Sequence, residues 1–214
     1  MDNIYIRNFE ETDLSALKSL ILEAFGEGWN LGYFDQTEDF FQTLLAIYLS
    51  MFLDNSTFGK VAILKNKVVG AVLGSAKGEI PKFRLFQGEM VSHALHLLTA
   101  NDTERMDVAE HLSKSFQTIG QLLENNPKTY DGSLEFLAVS KQLQGQSIGK
   151  MLWNEAVSIF KDNNINTIYL ISDSACNTGF YDHHGFSLVD SKEVVYNYTS
   201  KQKKFNVLLY DYKF

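Results

Sequence analysis

Three features of the sequence predict a mixed α/β domain. Two β-rich runs flank a tight polar turn near residue 66, a strand–helix–strand–helix–strand–strand order occupies residues 134–213, and a long helical segment separates these two regions. The helical segment, about residues 79–132, reads as an insertion between the third and fourth strands. Residues 1–214 form one domain on this reading, because about fifty residues with amphipathic helices and no strands can hardly bury a core of their own.

Each element has its own signal. Ile4 and Ile6 alternate with Tyr5 and Arg7 in a first strand. Thr12 or Asp13 then offers an N-cap to a helix whose apolar residues Leu14, Leu17, Leu20, Ile21, Ala24 and Phe25 recur at helical spacing, and Gly26 and Gly28 end it. A second helix covers residues 37–52. The most hydrophobic stretch, residues 40–53, falls short of the ~20 residues a membrane span needs and is interrupted by Gln42, Thr43 and Ser50. Residues 61–64 and 68–73 flank Lys65, Asn66 and Lys67 as a hairpin. Helical character returns over residues 83–125, with Val108, Leu112, Phe116, Ile119 and Leu123 marking one face, until residues 127–132 break it. A strand at 134–139, a helix at 147–161, a strand at 167–172 and a short helix at 177–184 follow. Residues 186–196 and 205–213 close the order as a hairpin.

Composition narrows the function. Apolar residues make up 45% and charged residues 21%, the balance of a folded globular protein. A formal net charge of -7 argues against nucleic acid or an anionic membrane as the main partner, while leaving room for a local basic patch. Residues 1–7 are polar and alternating, unlike a secretory signal, and the single cysteine, Cys176, permits no intrachain disulfide. Both point to a reducing, cytoplasmic setting. Cys176 reads as a small, half-buried side chain rather than a nucleophile.

The most informative segment runs from Leu137, Ala138 and Val139 through Gln144, Gly145, Gln146, Ser147, Ile148, Gly149 and Lys150. A strand ends, a loop of small residues follows and a helix begins. Backbone N–H groups in such a loop and in the first helical turn make a site for a phosphate, and glycines let the main chain approach it. A purely structural turn is the alternative. Further on, Asn177, Phe180, Tyr181, Gly185 and Phe186 follow the next strand.

These two segments resemble the GNAT superfamily of acyltransferases. The first is similar to its acetyl-CoA-binding motif, Gln/Arg-x-x-Gly-x-Gly/Ala after a strand ending in Leu-Ala-Val: Gln144 matches the leading position, Gly149 the last, and Gly145 the common early glycine. Ser147 departs from the pattern, standing where glycine is usual, and its effect on CoA binding is open. The second segment resembles the later family motif. Ser174 occupies the upstream place that asparagine takes in some branches, an alternative to Asn177.

The resemblance implies a GNAT-like acyl-CoA N-acyltransferase fold: a central, twisted, mostly antiparallel sheet with a splayed strand pair and helices on both faces. It implies acetyl-CoA as co-substrate, no metal, and transfer of the acetyl group to a primary amine of a small molecule or peptide by direct attack on the thioester. Leu137, Ala138, Val139, Gln144, Gly145, Gln146, Ser147, Ile148, Gly149, Lys150, Asn177 and Tyr181 become the cofactor-binding set. The N–H of Leu137 would hold the oxyanion, and Tyr181 matches the acid that protonates the leaving thiolate. A homodimer paired through the terminal strands is compatible with this family. A non-catalytic acyl-CoA sensor of the same fold is the rival reading, and Ser147 leans that way.

The remaining candidates are read from the residues. Glu135 lies two before Leu137, shares its strand face by period two, and is the first choice for the base that deprotonates the amine; a solvated or salt-bridged carboxylate is the other reading. His183 and His184 follow Tyr181 and fit the exposed side of a short helix. Asp173 at a strand end faintly suggests a ribose-binding acid, but five residues separate Val139 from Gly145, too many for a dinucleotide loop. His93, His96 and His111 lack a completing carboxylate or cysteine for a metal. Phe9, Phe25, Trp29, Tyr33, Phe34, Phe40 and Phe41 are candidates for a substrate wall, with core packing their default.

Overall fold

A computed structural model of the protein describes residues 4–25, 39–83, 102–199 and 202–214. Seven strands form one sheet: β1 (Tyr5–Asn8), β2 (Phe58–Leu64), β3 (Lys67–Ala76), β4 (Gly132–Val139), β5 (Thr167–Asp173), β6 (Ser187–Asn197) and β7 (Gln202–Lys213). The described helices are α1 (Leu14–Phe25), α2 (Asp39–Asp54), α3 (Asp102–Asn125), α4 (Ile148–Asp162) and the short α5 (Gly179–His183). The strand order is β1-β2-β3-β4-β5-β7-β6, and only β4 and β5 run parallel. This is the mixed, mostly antiparallel sheet that the sequence predicts.

The start of the chain is fixed by a buried charge. The Arg7 guanidinium grips Asp13 through two 2.7 Å hydrogen bonds, and the Asp13 carboxylate also accepts the Glu10 N–H at 2.9 Å. Burial pushes the Asp13 carboxyl up, but these hydrogen bonds outweigh it and hold the group below its usual range. Asp13 therefore ends a 3-10 turn (Glu11–Asp13) from which α1 departs, rather than capping α1 directly. At the first hairpin, Lys65 and Asn66 both take positive φ, 50° and 61°. That is the two-residue turn whose twist matches its flanking strands.

Helices cover both faces. On one, α1 and α2 bring Leu17, Ile21, Leu49 and Leu53 against Val61, Ala71, Leu73 and Phe136. On the other, Leu152, Trp153, Ala156 and Phe160 of α4 pack on Ala62, Val72, Leu134 and Ile168. The described part of the insertion, α3, lies over the β6–β7 hairpin: Leu122 packs with Val194, Tyr196 and Val207, and Lys114 donates to the Val195 carbonyl at 2.7 Å. Its buried residues are Asp107, Val108, His111, Thr118 and Leu122, so the inward face is rotated from the expected one, and Phe116 is 52% exposed. Side chains that reach β6 by hydrogen bonding set this rotation. Ser115 meets Tyr196 at 2.8 Å, and Asn126 donates to Asp190 at 2.7 Å.

The parallel pair positions the site. β4 and β5 are in register only at Gly132↔Ile168 and Ser133↔Tyr169, and then diverge. Neighbours pull them apart: β3 holds β4 to Val139, and β7 holds β5 to Asp173. Their common origin is clamped by Asp131, whose carboxylate accepts the N–H groups of Asn166 at 3.0 Å and Thr167 at 3.1 Å. Gly132 sits at this crowded start, where an added Cβ would lie 2.3 Å from the Ser75 carbonyl oxygen. Gly132→Ala is therefore expected to destabilise the fold by about 1–3 kcal/mol through backbone displacement, measured by denaturant unfolding. An unchanged midpoint would show that the strand origin can relax freely.

Candidate active site

The divergence of β4 and β5 opens two cavities that meet inside the sheet. One, of about 860 Å³, is lined by the end of β4, the following loop, the start of α4 and the segment around α5. The other, of about 460 Å³, is lined by α2, α3, the start of β4, β5 and β7. Leu137, Cys176, Tyr181 and Phe205 line both. Among the described residues, these four mark where a molecule in one cavity comes closest to a molecule in the other.

The larger cavity gathers most of the predicted cofactor residues. Leu137, Ala138, Val139, Gln144, Gly145, Ser147, Ile148, Gly149, Lys150, Asn177 and Tyr181 line it, and Gln146 does not. Backbone direction explains the strand's part. The Ser140 N–H bonds the Val69 carbonyl of β3, so by alternation Ala138 also faces β3, and the N–H groups of Leu137 and Val139 face the gap. Ile148 lines the cavity at the start of α4 and is 1% exposed. The first N–H groups of α4 have no intrahelical acceptor, and Lys141 and Lys150 add positive charge beside them. An anionic group fits here.

Several expectations are corrected. Ser147 precedes α4 in the left-handed region, φ 61°, and its side chain makes no capping hydrogen bond. This is the backbone shape glycine adopts most readily, so the departure at Ser147 costs local strain. Gly149 is also held small by packing: an added Cβ would lie 3.2 Å from the Phe180 ring. The short helix begins at Gly179 rather than at 177, so Asn177 lies before α5, and both Asn177 and Tyr181 line the cavity. Ser174 is tied to β7, donating its N–H to the Asn206 carbonyl and accepting the Asn206 N–H, which leaves Asn177 as the asparagine-position residue in the cavity.

Glu135 lines the smaller cavity, as does Leu137. β4 pairs Leu134 with Gly74 and Phe136 with Leu73, so Glu135 is the extra residue of a β-bulge, while Glu135 and Leu137 stay in step on either side of buried Phe136. Its carboxylate accepts the Ser133 hydroxyl, and burial raises its carboxyl above the usual range. Among the described residues it has no ion-pair partner. Tyr181 is wedged between Phe180, Phe186 and Tyr210, and burial raises its phenol well above the ordinary tyrosine range. No described residue hydrogen-bonds its hydroxyl. Burial also pushes the Cys176 thiol up to about 12, so it rests as a neutral thiol.

Other candidates find their places. Asp173 accepts the N–H groups of Ala175 at 2.8 Å and Cys176 at 3.2 Å, closing the turn after β5. His183 is exposed, whereas His184 stacks on Phe180 at 4.0 Å and lines the larger cavity. His111 is buried against Tyr196 and Tyr198, and burial lowers it to about 4, so it is neutral. Phe9 is core, while Trp29, Tyr33, Phe34, His93, His96 and the side chains of Phe25, Phe40 and Phe41 lie outside the described residues. Among those described, no three His, Cys, Asp or Glu residues cluster as metal ligands, and no helix is long and apolar enough to cross a membrane. Phe205 and the junction role of Cys176 escaped the sequence reading, although Cys176 directly precedes the Asn177 motif.

The acetyltransferase (GNAT) family matches residues 14–186, from α1 through the Gly185-Phe186 pair. The chain belongs to the GNAT acetyltransferase family. An agmatine N-acetyltransferase structure superposes with a TM-score of 0.58 at 16% identity, covering 100% of both chains. A polyamine N-acetyltransferase from Drosophila melanogaster gives 0.56 at 15% identity, over 99% of this chain and 100% of that one. A PaiA N-acetyltransferase from Thermoplasma acidophilum, in complex with coenzyme A, gives 0.54 at 14% identity over 99% of each. These likenesses concern the fold. A comparison with curated proteins finds no match.

The strained serine of this GNAT acetyltransferase makes a direct test. Ser147→Gly removes the left-handed strain, so stability should stay level or rise by about 1 kcal/mol, net of glycine's greater unfolded-state entropy. Acetyl-CoA should shift the melting temperature of the variant at least as far as that of the parent. A tenfold loss of acetyl-CoA affinity would instead make the Ser147 hydroxyl a ligand contact.

Proposed function

We propose that this acyltransferase moves the acetyl group of acetyl-CoA to a primary amine. The observation that carries the reading is the meeting of an anion-compatible cavity and an acidic cavity at Leu137, Cys176, Tyr181 and Phe205. The agmatine, polyamine and PaiA N-acetyltransferases similar in fold support the acceptor class, and the coenzyme A complex among them supports the donor.

The residues divide the work by position. Lys141, Lys150 and the N–H groups opening α4 take the phosphates, and the unpaired edge of β4 takes the pantetheine amides as a missing strand would. Glu135 accepts a proton from the ammonium, whose ordinary pKa is about 10.4. Burial suits it to this, since a raised carboxyl is a stronger base once ionised. The amine nitrogen bonds the thioester carbon, and the Leu137 N–H holds the resulting oxyanion. As the carbon–sulfur bond breaks, Tyr181 gives its proton to the departing thiolate. The second proton of the attacking nitrogen restores the phenol, and the first leaves Glu135 for solvent. The raised phenol stays protonated until the thiolate charge develops.

Tyr181→Phe keeps the ring packing and removes the donor. It should lower kcat by about 10²- to 10⁴-fold with acetyl-CoA affinity little changed. Full activity would move the acid role to water or a histidine. In Glu135→Gln the rate should fall most at low pH, where the amine is hardest to deprotonate, and the rise of kcat/KM with pH due to Glu135 ionisation should vanish. A profile parallel to that of the parent would remove Glu135 as the base.

A further inference from the structure

The smaller cavity carries information about its occupant. Its acidic side chains are Glu135, Asp54 and Asp173, and among the described residues no lysine or arginine lines it. Asp54 is exposed and marks a solvent end, while Asp173 is engaged by the turn after β5. Glu135 differs from both. It is a half-buried carboxylate on a bulge, with one hydroxyl donor and no cation among the described residues. Removing a carboxylate from water without a counter-charge is costly, and an arriving cation relieves that cost.

The walls between are aromatic and aliphatic. Phe52 and Phe136 meet at 5.2 Å with their rings tilted by 49°, and Tyr169, Phe116, Ile119 and Phe205 add further apolar surface. A ligand chain carrying further charges would leave them desolvated along these walls. A flat apolar body would bury well, with its rings offset or edge-on to Phe52 and Phe136. A carboxylate or phosphate on the ligand would face Glu135, Asp54 and Asp173 with no described cation to receive it.

We infer that the acceptor cavity takes an arylalkyl monoamine: one ammonium directed to Glu135, an aromatic body packed against the surface that Phe52, Phe136 and Phe116 present to the cavity, and no acidic group. This rests on the proposed acetyl transfer for its kinetic readout, but the binding claim stands separately.

The test uses a matched series with release of the CoA thiol from acetyl-CoA. The kcat/KM for 2-phenylethylamine should exceed that for ethylamine by about 10- to 100-fold, the worth of burying a phenyl group. L-phenylalanine, which adds only a carboxylate, should fall about 10²-fold or more below 2-phenylethylamine. Preference for 1,4-diaminobutane, or equal use of L-phenylalanine, would overturn the inference. Thiol release with none of the amines would remove the transfer reading alone, and calorimetry would then decide. Saturable binding of 2-phenylethylamine that weakens at least tenfold in Glu135→Gln, while 2-phenylethanol binds both proteins alike, would uphold the cavity assignment. Absence of 2-phenylethylamine binding to the parent protein would defeat it.

Discussion

The site depends on a sheet that stops being a sheet. Two parallel strands share their origin at Gly132 and Ser133, each is fully paired on its outer side, and neither pairs with the other beyond that point. Unpaired backbone N–H and C=O groups inside a protein are costly unless something else meets them. Here the exposed edge includes the Leu137 and Val139 N–H groups, and the cavities on either side of it give a ligand access. The gap is maintained from outside, by the pull of β3 and β7 and by the Asp131 clamp at the common end. The fold thus spends sheet hydrogen bonds on a permanent opening.

Electrostatics sort the two sides of that opening. Lys141, Lys150 and the start of α4 face the larger cavity, whereas Glu135, Asp54 and Asp173 line the smaller one. An anionic donor and a cationic acceptor would therefore approach from different sides and meet at the junction. The chain's net charge of -7 gives no hint of this division, because two local lysines matter more than the sum. Burial keeps Tyr181, Cys176 and His111 neutral, whereas Glu135 and Asp173 are half-buried carboxylates lining the smaller cavity.

Much of the fold was legible in the sequence because local rules agree with the tertiary outcome. Alternation marks the strands, Lys65 and Asn66 mark a hairpin turn, and the Gly145 to Gly149 loop marks the start of α4. What was not legible depends on partners far along the chain. The bulge at Glu135 exists only in the register between β3 and β4, which alternation along one strand does not reveal. The rotation of α3 follows from hydrogen bonds to β6 about eighty residues away, and Phe205 reaches the junction from the last strand. The packing of Phe180 against Gly149 could not be seen from the sequence either. Ser147 shows the converse, a departure visible in sequence whose meaning is a backbone angle.

The central claim is that chemistry occurs where the two cavities join, and a structure of the protein with bound CoA tests it most directly. The pantetheine arm should lie along the free edge of β4 between Leu137 and Val139, with the phosphates at Lys141, Lys150 and the start of α4. The sulfur should then fall within about 3–3.5 Å of the Tyr181 hydroxyl, the range from which a proton can pass. A CoA molecule bound elsewhere, or one whose sulfur stays remote from Tyr181 and Leu137, would contradict it.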